Sequence, residues 1–173
     1  HGHWNRLLAA KLGLDETVLH TNPLCYQQLV HLLSALEMDF NLFFDAITRI
    51  AADDADYRSP ESVQRILACS YLDAPEPALL QDWLLSYQGL IAESAVTSRA
   101  AGMRAVNPVF ILRNHLVQDV IDAAEAGDYA PLQDIFKRLK TPYADSPDDA
   151  RWVKKCPPES MQRAGCSMLS CSS

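Results

Sequence analysis

Apolar residues recur every three or four positions along most of the chain, and this spacing is the strongest constraint on the fold. An α-helix turns once in about 3.6 residues, so side chains at that spacing share one face. No segment alternates apolar and polar residues over the length of a strand. The pattern predicts an all-α fold of about seven helices, packed as an irregular bundle over residues 1–144. Residues 145–173, rich in proline and serine, are predicted to form an irregular tail.

Capping residues mark several of the predicted helix ends. Gly13 follows the first apolar stripe and is expected to end that helix. Pro75 and Pro77 are expected to begin a long helix that continues to about Ala101. The polar residues expected to cap the start of a helix are Asn22, Asp39 and Ser59.

The segment from Asn107 to Asn114 is predicted to begin a further helix, with Asn107 at the N-cap and Pro108 at the first helical position. This helix is expected to end at Gly127. Arg113 and Asn114 would then be polar residues on an apolar helix. Contact with a nucleotide-binding body or with an acidic patch of a substrate is one interpretation of the pair. An interhelical hydrogen bond or ion pair is favoured, because a buried arginine must be paired.

Charge and hydropathy exclude two classes of function. The net charge of −7 argues against a nucleic-acid partner, because binding to phosphates requires a basic surface. No apolar run approaches the roughly 20 residues of a membrane span. We therefore predict neither a nucleic acid nor a membrane as a partner.

The five cysteines do not form a familiar framework. An odd number in a helical chain of this size indicates a reducing compartment rather than secretion. Cys156, Cys166 and Cys171 lack paired zinc-ligand spacing, so no metal site is predicted. Cys171, two residues from the C-terminus, is expected to be an accessible thiol. Cys166 is a possible second thiol, because a short disulfide loop between Cys166 and Cys171 is sterically possible. Cys25 and Cys69 are expected to behave as small buried apolar groups.

Phosphate transfer from ATP requires a loop that cradles phosphate, a lysine and metal ligands. The six glycines do not fall at the spacing of a glycine-rich loop. Asp39-Phe40-Asn41 has some likeness to a metal-binding kinase motif, but a helix cap is the better interpretation. We therefore predict no catalytic residue in this chain.

Several blocks nevertheless resemble the C-terminal end of the selenoprotein O family. The most specific are Asn107-Pro108-Val109-Phe110-Ile111-Leu112-Arg113-Asn114 and the terminal Ser170-Cys171-Ser172-Ser173. Supporting blocks are Lys11–Leu14, Asp39–Phe44, Ala123–Tyr129, Pro142-Tyr143 and Pro157-Pro158.

The resemblance implies a C-terminal helical part of a protein-kinase-like fold. It implies an enzyme, a pseudokinase-like protein adenylyltransferase, that uses ATP with Mg²⁺ or Mn²⁺ to transfer AMP to Ser, Thr or Tyr of other proteins. The expected partners are the missing N-terminal kinase-like part and those substrate proteins. Because the chain begins at His1 without an initiator Met, it is expected to be a piece of a longer protein. Because the family's nucleotide and metal residues would lie upstream of His1, the chain alone is expected to be inactive.

The resemblance also implies a redox-regulatory role for Cys171, which in some animal members is a selenocysteine and in bacterial relatives can pair with a cysteine of the kinase-like body. The segment Glu159–Cys166 departs from the family, which usually has a tryptophan soon after the proline pair. The expected location is the bacterial cytoplasm, or the mitochondrion in a eukaryote. The alternatives are a freestanding helical interaction module without catalysis and, more weakly, a thiol-redox protein.

Overall fold

The structure is a computed structural model that describes residues 2–94, 98–147 and 149–161. Those residues form α-helices and connecting segments, with one isolated antiparallel bridge between Met38 and Ser70 and no strand. The predicted all-α class is confirmed. The chain divides into two compact units, residues 1–108 and 109–173. The boundary at residue 144, predicted from composition, stays a prediction.

Unit 1 contains seven helices in its described residues, and the fourth is the most deeply buried. The helices are α1 (Gly2–Leu12), α2 (Glu16–Thr21), α3 (Pro23–Ala35), α4 (Phe40–Ala52), α5 (Pro60–Leu67), α6 (Pro77–Glu93) and α7 (Arg99–Val106). Helix α4 buries eight of its residues and contacts α1, α5 and α7. The core around it includes Leu32, Phe43, Ile47, Leu84 and Tyr87, each at most 1% exposed.

Local capping explains several of these helix starts. Asp39 Oδ1 accepts the backbone N–H of Leu42 at 3.0 Å, and Ser59 Oγ accepts that of Ser62 at 3.1 Å. Helix α3 begins at Pro23 directly after Asn22, as predicted, but the Asn22 side chain makes no capping hydrogen bond and instead donates through Nδ2 to Val18 O at 3.0 Å. Each of these signals lies within a few residues of the helix it starts, so it can be recognised in the sequence.

Gly13 ends α1 with a backbone φ of +62°. A Cβ atom at this position would lie 2.5 Å from Cγ of Arg99 and 2.8 Å from Sδ of Met103. Both residues belong to α7. The lack of a side chain at Gly13 therefore allows the end of α1 to approach α7 closely.

The prediction of one continuous helix from Pro77 to about Ala101 is wrong beyond Glu93. Helix α6 ends at Glu93, and Ser94 has extended backbone. Ser94 Oγ instead accepts the backbone N–H of Asp15 at 3.0 Å. Arg99 begins the separate helix α7 and donates to the backbone oxygens of Gly13 at 2.7 Å and Ile91 at 3.3 Å. These contacts with the end of α1 and the last turn of α6 replace the continuous helix.

Unit 2 contains two longer helices and two single turns in its described residues. They are α8 (Asn114–Glu125), α9 (Ala130–Leu139), α10 (Asp149–Trp152) and α11 (Pro158–Met161). Gly127 follows α8 with φ +88°, and Asp128 Oδ1 accepts the backbone N–H of Ala130 at 3.0 Å, as expected for residues between two helices. The core cluster consists of Phe110, Leu116, Val120, Ile135 and Trp152.

The predicted helix start at Asn107 and Pro108 is wrong. Asn107 is the C-cap of α7, and the next helix begins at Asn114. The backbone N–H of Phe110, which an Asn107 side chain at the N-cap would be expected to accept, donates instead to Pro142 O at 3.0 Å. Tertiary partners of this segment have therefore overridden the local signal.

Candidate functional site

Asn107 of the predicted motif makes several hydrogen bonds within unit 1. Its side chain lies 1% exposed in unit 1. Nδ2 donates to Lys11 O and to Thr48 Oγ1, both at 2.9 Å, and Oδ1 accepts from Lys11 Nζ at 3.1 Å. Thr48 Oγ1 in turn donates to Phe44 O at 2.6 Å. One carboxamide thus joins the end of α7 to α1 and α4.

Lys11 is held by both polar and aromatic groups. Besides Asn107, its Nζ donates to Val106 O at 3.4 Å and lies 4.9 Å from the ring centroid of Phe44 and 5.5 Å from that of Phe40. A cation over aromatic faces gains electrostatic attraction. Burial lowers the pKa of Lys11 below its ordinary value, because removal from water disfavours the charged form.

An ion-pair cluster lies beside Asn107. Asp45 is 7% exposed, and its two oxygens accept from Arg104 Nη1 at 2.7 Å and from Arg49 Nε at 2.8 Å. Arg104 Nη1 also reaches Asn107 O at 3.4 Å. Asn41 Nδ2 donates to Pro108 O at 3.1 Å.

We call this set the Asn107 network. Its members are Lys11, Asn41, Asp45, Thr48, Arg49, Arg104, Asn107 and Pro108. Each of its polar side chains has at least one partner within unit 1, so the network fixes the helices against one another.

Arg138 plays the part in unit 2 that Asn107 plays in unit 1: it is buried and makes several hydrogen bonds. It was not predicted from the sequence. It is 5% exposed. Its Nε donates to Asp149 Oδ1 at 2.8 Å, Nη2 donates to Ala144 O at 2.8 Å, and Nη1 donates to Thr141 O. Its guanidinium carbon lies 5.3 Å from the ring centroid of Phe110. A basic residue in the last turn of a helix is usually read as a dipole partner at the surface, so no local signal marks this one as buried.

Arg113 and Asn114 occupy positions that differ from the prediction. Arg113 is the N-cap residue of α8, partly buried with extended backbone, and its carbonyl oxygen accepts from Leu116 N at 3.0 Å and Val117 N at 3.1 Å. Asn114 is exposed at the first position of α8. Neither residue lies within an apolar helix. The expectation that Arg113 fixes how α8 docks stays a prediction.

The two candidate thiols, Cys166 and Cys171, lie outside the described residues. Cys69 is 6% exposed, in agreement with the prediction that it is a small buried group, and its Sγ lies 3.6 Å from Arg65 O. The side chain of Cys25 is not among those described. Over the described parts of the chain, no three His, Cys, Asp or Glu side chains are grouped to hold a metal ion.

Comparison with known proteins identifies the family. A family model described as protein adenylyltransferase SelO matches residues 1–140. The chain therefore belongs to the SelO family, and the resemblance seen in the sequence is confirmed.

Relatives from several bacteria carry the name protein nucleotidyltransferase YdiU. The one from Tolumonas auensis is 37% identical over 171 residues, which cover 96% of this chain and 32% of the relative. The one from Rhodopirellula baltica is 34% identical, covering 98% of this chain and 34% of the relative. The one from Aromatoleum aromaticum is 34% identical, with 97% and 32% covered. The chain spans about a third of the length of these curated relatives.

Proposed function

We propose that this chain is the C-terminal part of an enzyme that transfers AMP from ATP to Ser, Thr or Tyr hydroxyl groups of proteins. The family match over residues 1–140 carries this proposal, and the relatives' shared name supports the nucleotidyltransferase class. ATP and its Mg²⁺ or Mn²⁺ would be bound by the N-terminal kinase-like part. The proposed location is the cytoplasm of a bacterium, or the mitochondrion in a eukaryote. No helix among the described residues has the length and apolar character needed to cross a bilayer.

The role proposed for this chain is structural support rather than nucleotide binding. Asp39 supports this view, because its Oδ1 caps α4 through Leu42 N and its Oδ2 accepts the Tyr71 hydroxyl at 2.9 Å. Asp45 directs both carboxylate oxygens to arginines of the same unit. These carboxylates hold helices and turns in place, which is the behaviour expected of a buttress.

An assay with ATP labelled at the α-phosphate tests the proposal. The polypeptide encoded by the complete gene and the 173-residue chain are each incubated with Mg²⁺ or Mn²⁺ and a mixture of bacterial proteins. We expect label on protein with the complete polypeptide and none with the chain alone. Transfer by the chain alone would refute the division of roles. A folded complete polypeptide that transfers no label would refute the activity.

We also propose that Cys171 is a redox-regulatory thiol, as the family resemblance implies. In this step, Cys171 and a cysteine upstream of His1 each lose a proton and together give two electrons to glutathione disulfide, forming a disulfide and two glutathiones. The bond would lower AMP transfer by the complete polypeptide. Cys171→Ser should make transfer insensitive to glutathione disulfide, while Cys166→Ser should leave the sensitivity intact. Peptide mapping that finds only a Cys166–Cys171 bond would contradict the proposal.

The freestanding helical module remains the alternative hypothesis. It predicts a start codon immediately before the codon for His1, whereas the proposed enzyme predicts a continuous reading frame. Sequencing the upstream DNA separates the two.

A further inference from the structure

Helix α9 has an apolar surface that unit 2 covers only in part. Ile135 of this helix is 4% exposed and joins the core of unit 2. The residues that extend its apolar side are at least 39% exposed. We call them the α9 stripe, and they are Tyr129, Leu132, Phe136 and Leu139.

The spacing of the stripe is that of a helix-packing face. Its members are separated by three, four and three positions, so they lie along one side of α9. Tyr129 and Phe136 are each 59% exposed, and Leu132 is 47% exposed. Exposed large apolar residues are common singly, whereas a continuous row of them marks an interaction surface.

The flank of the stripe is basic. Lys137 and Lys140 are both exposed; Lys137 Nζ lies 3.7 Å from Asp134 Oδ1 of the same helix, and Lys140 Nζ lies 4.8 Å from the ring centroid of Phe136. A surface that covers the stripe would meet these ammonium groups at its edge. Carboxylates there would pair with them and fix the register of docking.

The length of the relatives indicates what covers the stripe. The chain accounts for only 32% of the Tolumonas auensis relative, so family members have about twice as much additional polypeptide. A segment joined to the same chain competes at high effective concentration with any separate partner. The core cluster of the described part of unit 2 has five apolar residues, hardly more than the stripe exposes, which is typical of a unit completed by a neighbour.

We infer that the α9 stripe is the surface on which the remaining part of the family polypeptide docks, through an apolar face bordered by carboxylates. This inference rests on the proposed function, because it identifies the surface by which the chain supports the catalytic part. A second copy of this chain is the competing occupant.

Hydroxyl-radical footprinting read by mass spectrometry tests the inference. The complete polypeptide and the 173-residue chain are oxidised under the same conditions, and modification is measured at each stripe residue. We expect several-fold less oxidation of Phe136 and Tyr129 in the complete polypeptide. Leu85 of α6 is the matched control, because it is 57% exposed and its neighbours on the helix are Gln81, Asp82, Gln88 and Gly89.

Four outcomes would overturn the inference. They are equal oxidation of the stripe in the two proteins, protection that falls equally on Leu85, protection already present in the chain alone, and a complete gene that encodes no further residues. Protection in the chain alone that rises with concentration, together with a dimer in sedimentation, would assign the stripe to a second copy.

A double variant supplies an independent measurement. Leu132→Ser combined with Phe136→Ser should lower the Tm of the complete polypeptide by clearly more than that of the isolated chain. An equal fall in both proteins would make the stripe a part of unit 2's own stability and contradict docking. A complete polypeptide that protects α9 but transfers no AMP would refute the proposed function alone. One that transfers AMP with α9 unprotected would refute this inference alone.

Discussion

Asn107 and Arg138 show how a single side chain organises each unit. Asn107 uses both ends of its carboxamide, and Arg138 uses all three nitrogens of its guanidinium. Loss of Asn107 would remove three hydrogen bonds from unit 1, one of them to the buried Thr48 hydroxyl, and loss of Arg138 would remove three from unit 2. An unsatisfied buried polar group costs more than the bond itself contributes.

We predict that Asn107→Ala destabilises unit 1 by about 3 kcal/mol, because three hydrogen bonds are lost and the Thr48 hydroxyl stays buried. Urea unfolding followed by tryptophan fluorescence measures this. A Trp152→Phe background restricts the signal to Trp4 and Trp83 of unit 1.

Asn114→Ala is the matched control from the same motif. Because Asn114 is exposed, its change should stay within about 0.5 kcal/mol. Equal effects of the two substitutions would show that the Asn107 network does not stabilise unit 1.

We predict that Arg138→Lys destabilises unit 2 by roughly 2–4 kcal/mol, because an ammonium group cannot reach Asp149, Thr141 and Ala144 together. The fluorescence of Trp152 in a variant lacking Trp4 and Trp83 reports this unit. Lys137→Ala, at the exposed neighbouring position, should leave the unfolding midpoint nearly unchanged. A midpoint for Arg138→Lys equal to that of the parent would contradict the role assigned to the guanidinium.

At the scale of elements, the contact between α1 and α7 depends on Gly13. The backbone there has positive φ, and the space that a Cβ would need is filled by Arg99 and Met103. A side chain at position 13 would therefore cause both backbone strain and steric overlap with α7.

We predict that Gly13→Ala lowers the stability of unit 1 by about 2–3 kcal/mol. Gly102, inside α7, has open space where a Cβ would lie, with no neighbouring atom within 4 Å. Gly102→Ala should therefore stabilise the protein by about 0.5–1 kcal/mol. Thermal unfolding of both variants tests the pair, and a stabilising Gly13→Ala would contradict the described packing.

Helix boundaries were predictable where the deciding contacts are local. Asp39 and Ser59 cap helices through backbone groups three residues away, and the sequence shows this directly. The two Asn-Pro pairs show where prediction from local sequence fails. Asn22-Pro23 begins α3, whereas Asn107-Pro108 follows α7, because Asn107 finds partners 59 and 96 residues away in Thr48 and Lys11.

The candidate site, too, could be predicted from the sequence only in part. Asn107 and Pro108 could be selected from the sequence as an unusual block, but the partners that give Asn107 its role could not. Arg138 was missed because burial of a guanidinium depends on residues that fold back onto it, such as Phe110 and Asp149. The family was recognised from short blocks of residues, and the family match over residues 1–140 confirms that recognition.

At the scale of the whole molecule, Tyr57 and Lys11 change the dependence of stability on alkaline pH in opposite directions. Burial raises the pKa of Tyr57 above 10.0 and lowers that of Lys11 below 10.5. Above pH 10.0 the unfolded chain loses the Tyr57 proton first, so this group makes stability fall as pH rises. Lys11 makes stability rise as pH rises, because below pH 10.5 the unfolded chain keeps the Lys11 proton more readily than the folded chain does.

We predict that Tyr57→Phe makes the decline in stability above pH 10.0 less steep than in the parent protein. The free energy of unfolding at several alkaline pH values measures the slope. The slope, rather than the absolute value, is the test, because the substitution also removes the hydrogen bond from the Tyr57 hydroxyl to Ile47 O. An unchanged or steeper slope would contradict the assignment.

The hydrogen bonds from Arg138 to the loop after α9 determine how far the amino-acid sequence of that loop can vary. Two of its three hydrogen-bonded partners are main-chain oxygens, at Thr141 and Ala144, which every amino acid possesses. Such recognition constrains the path of the backbone and not the identity of the side chains along it. A library randomised at residues 143–145 should thus retain many folded members, whereas one randomised at Asp149 should retain few.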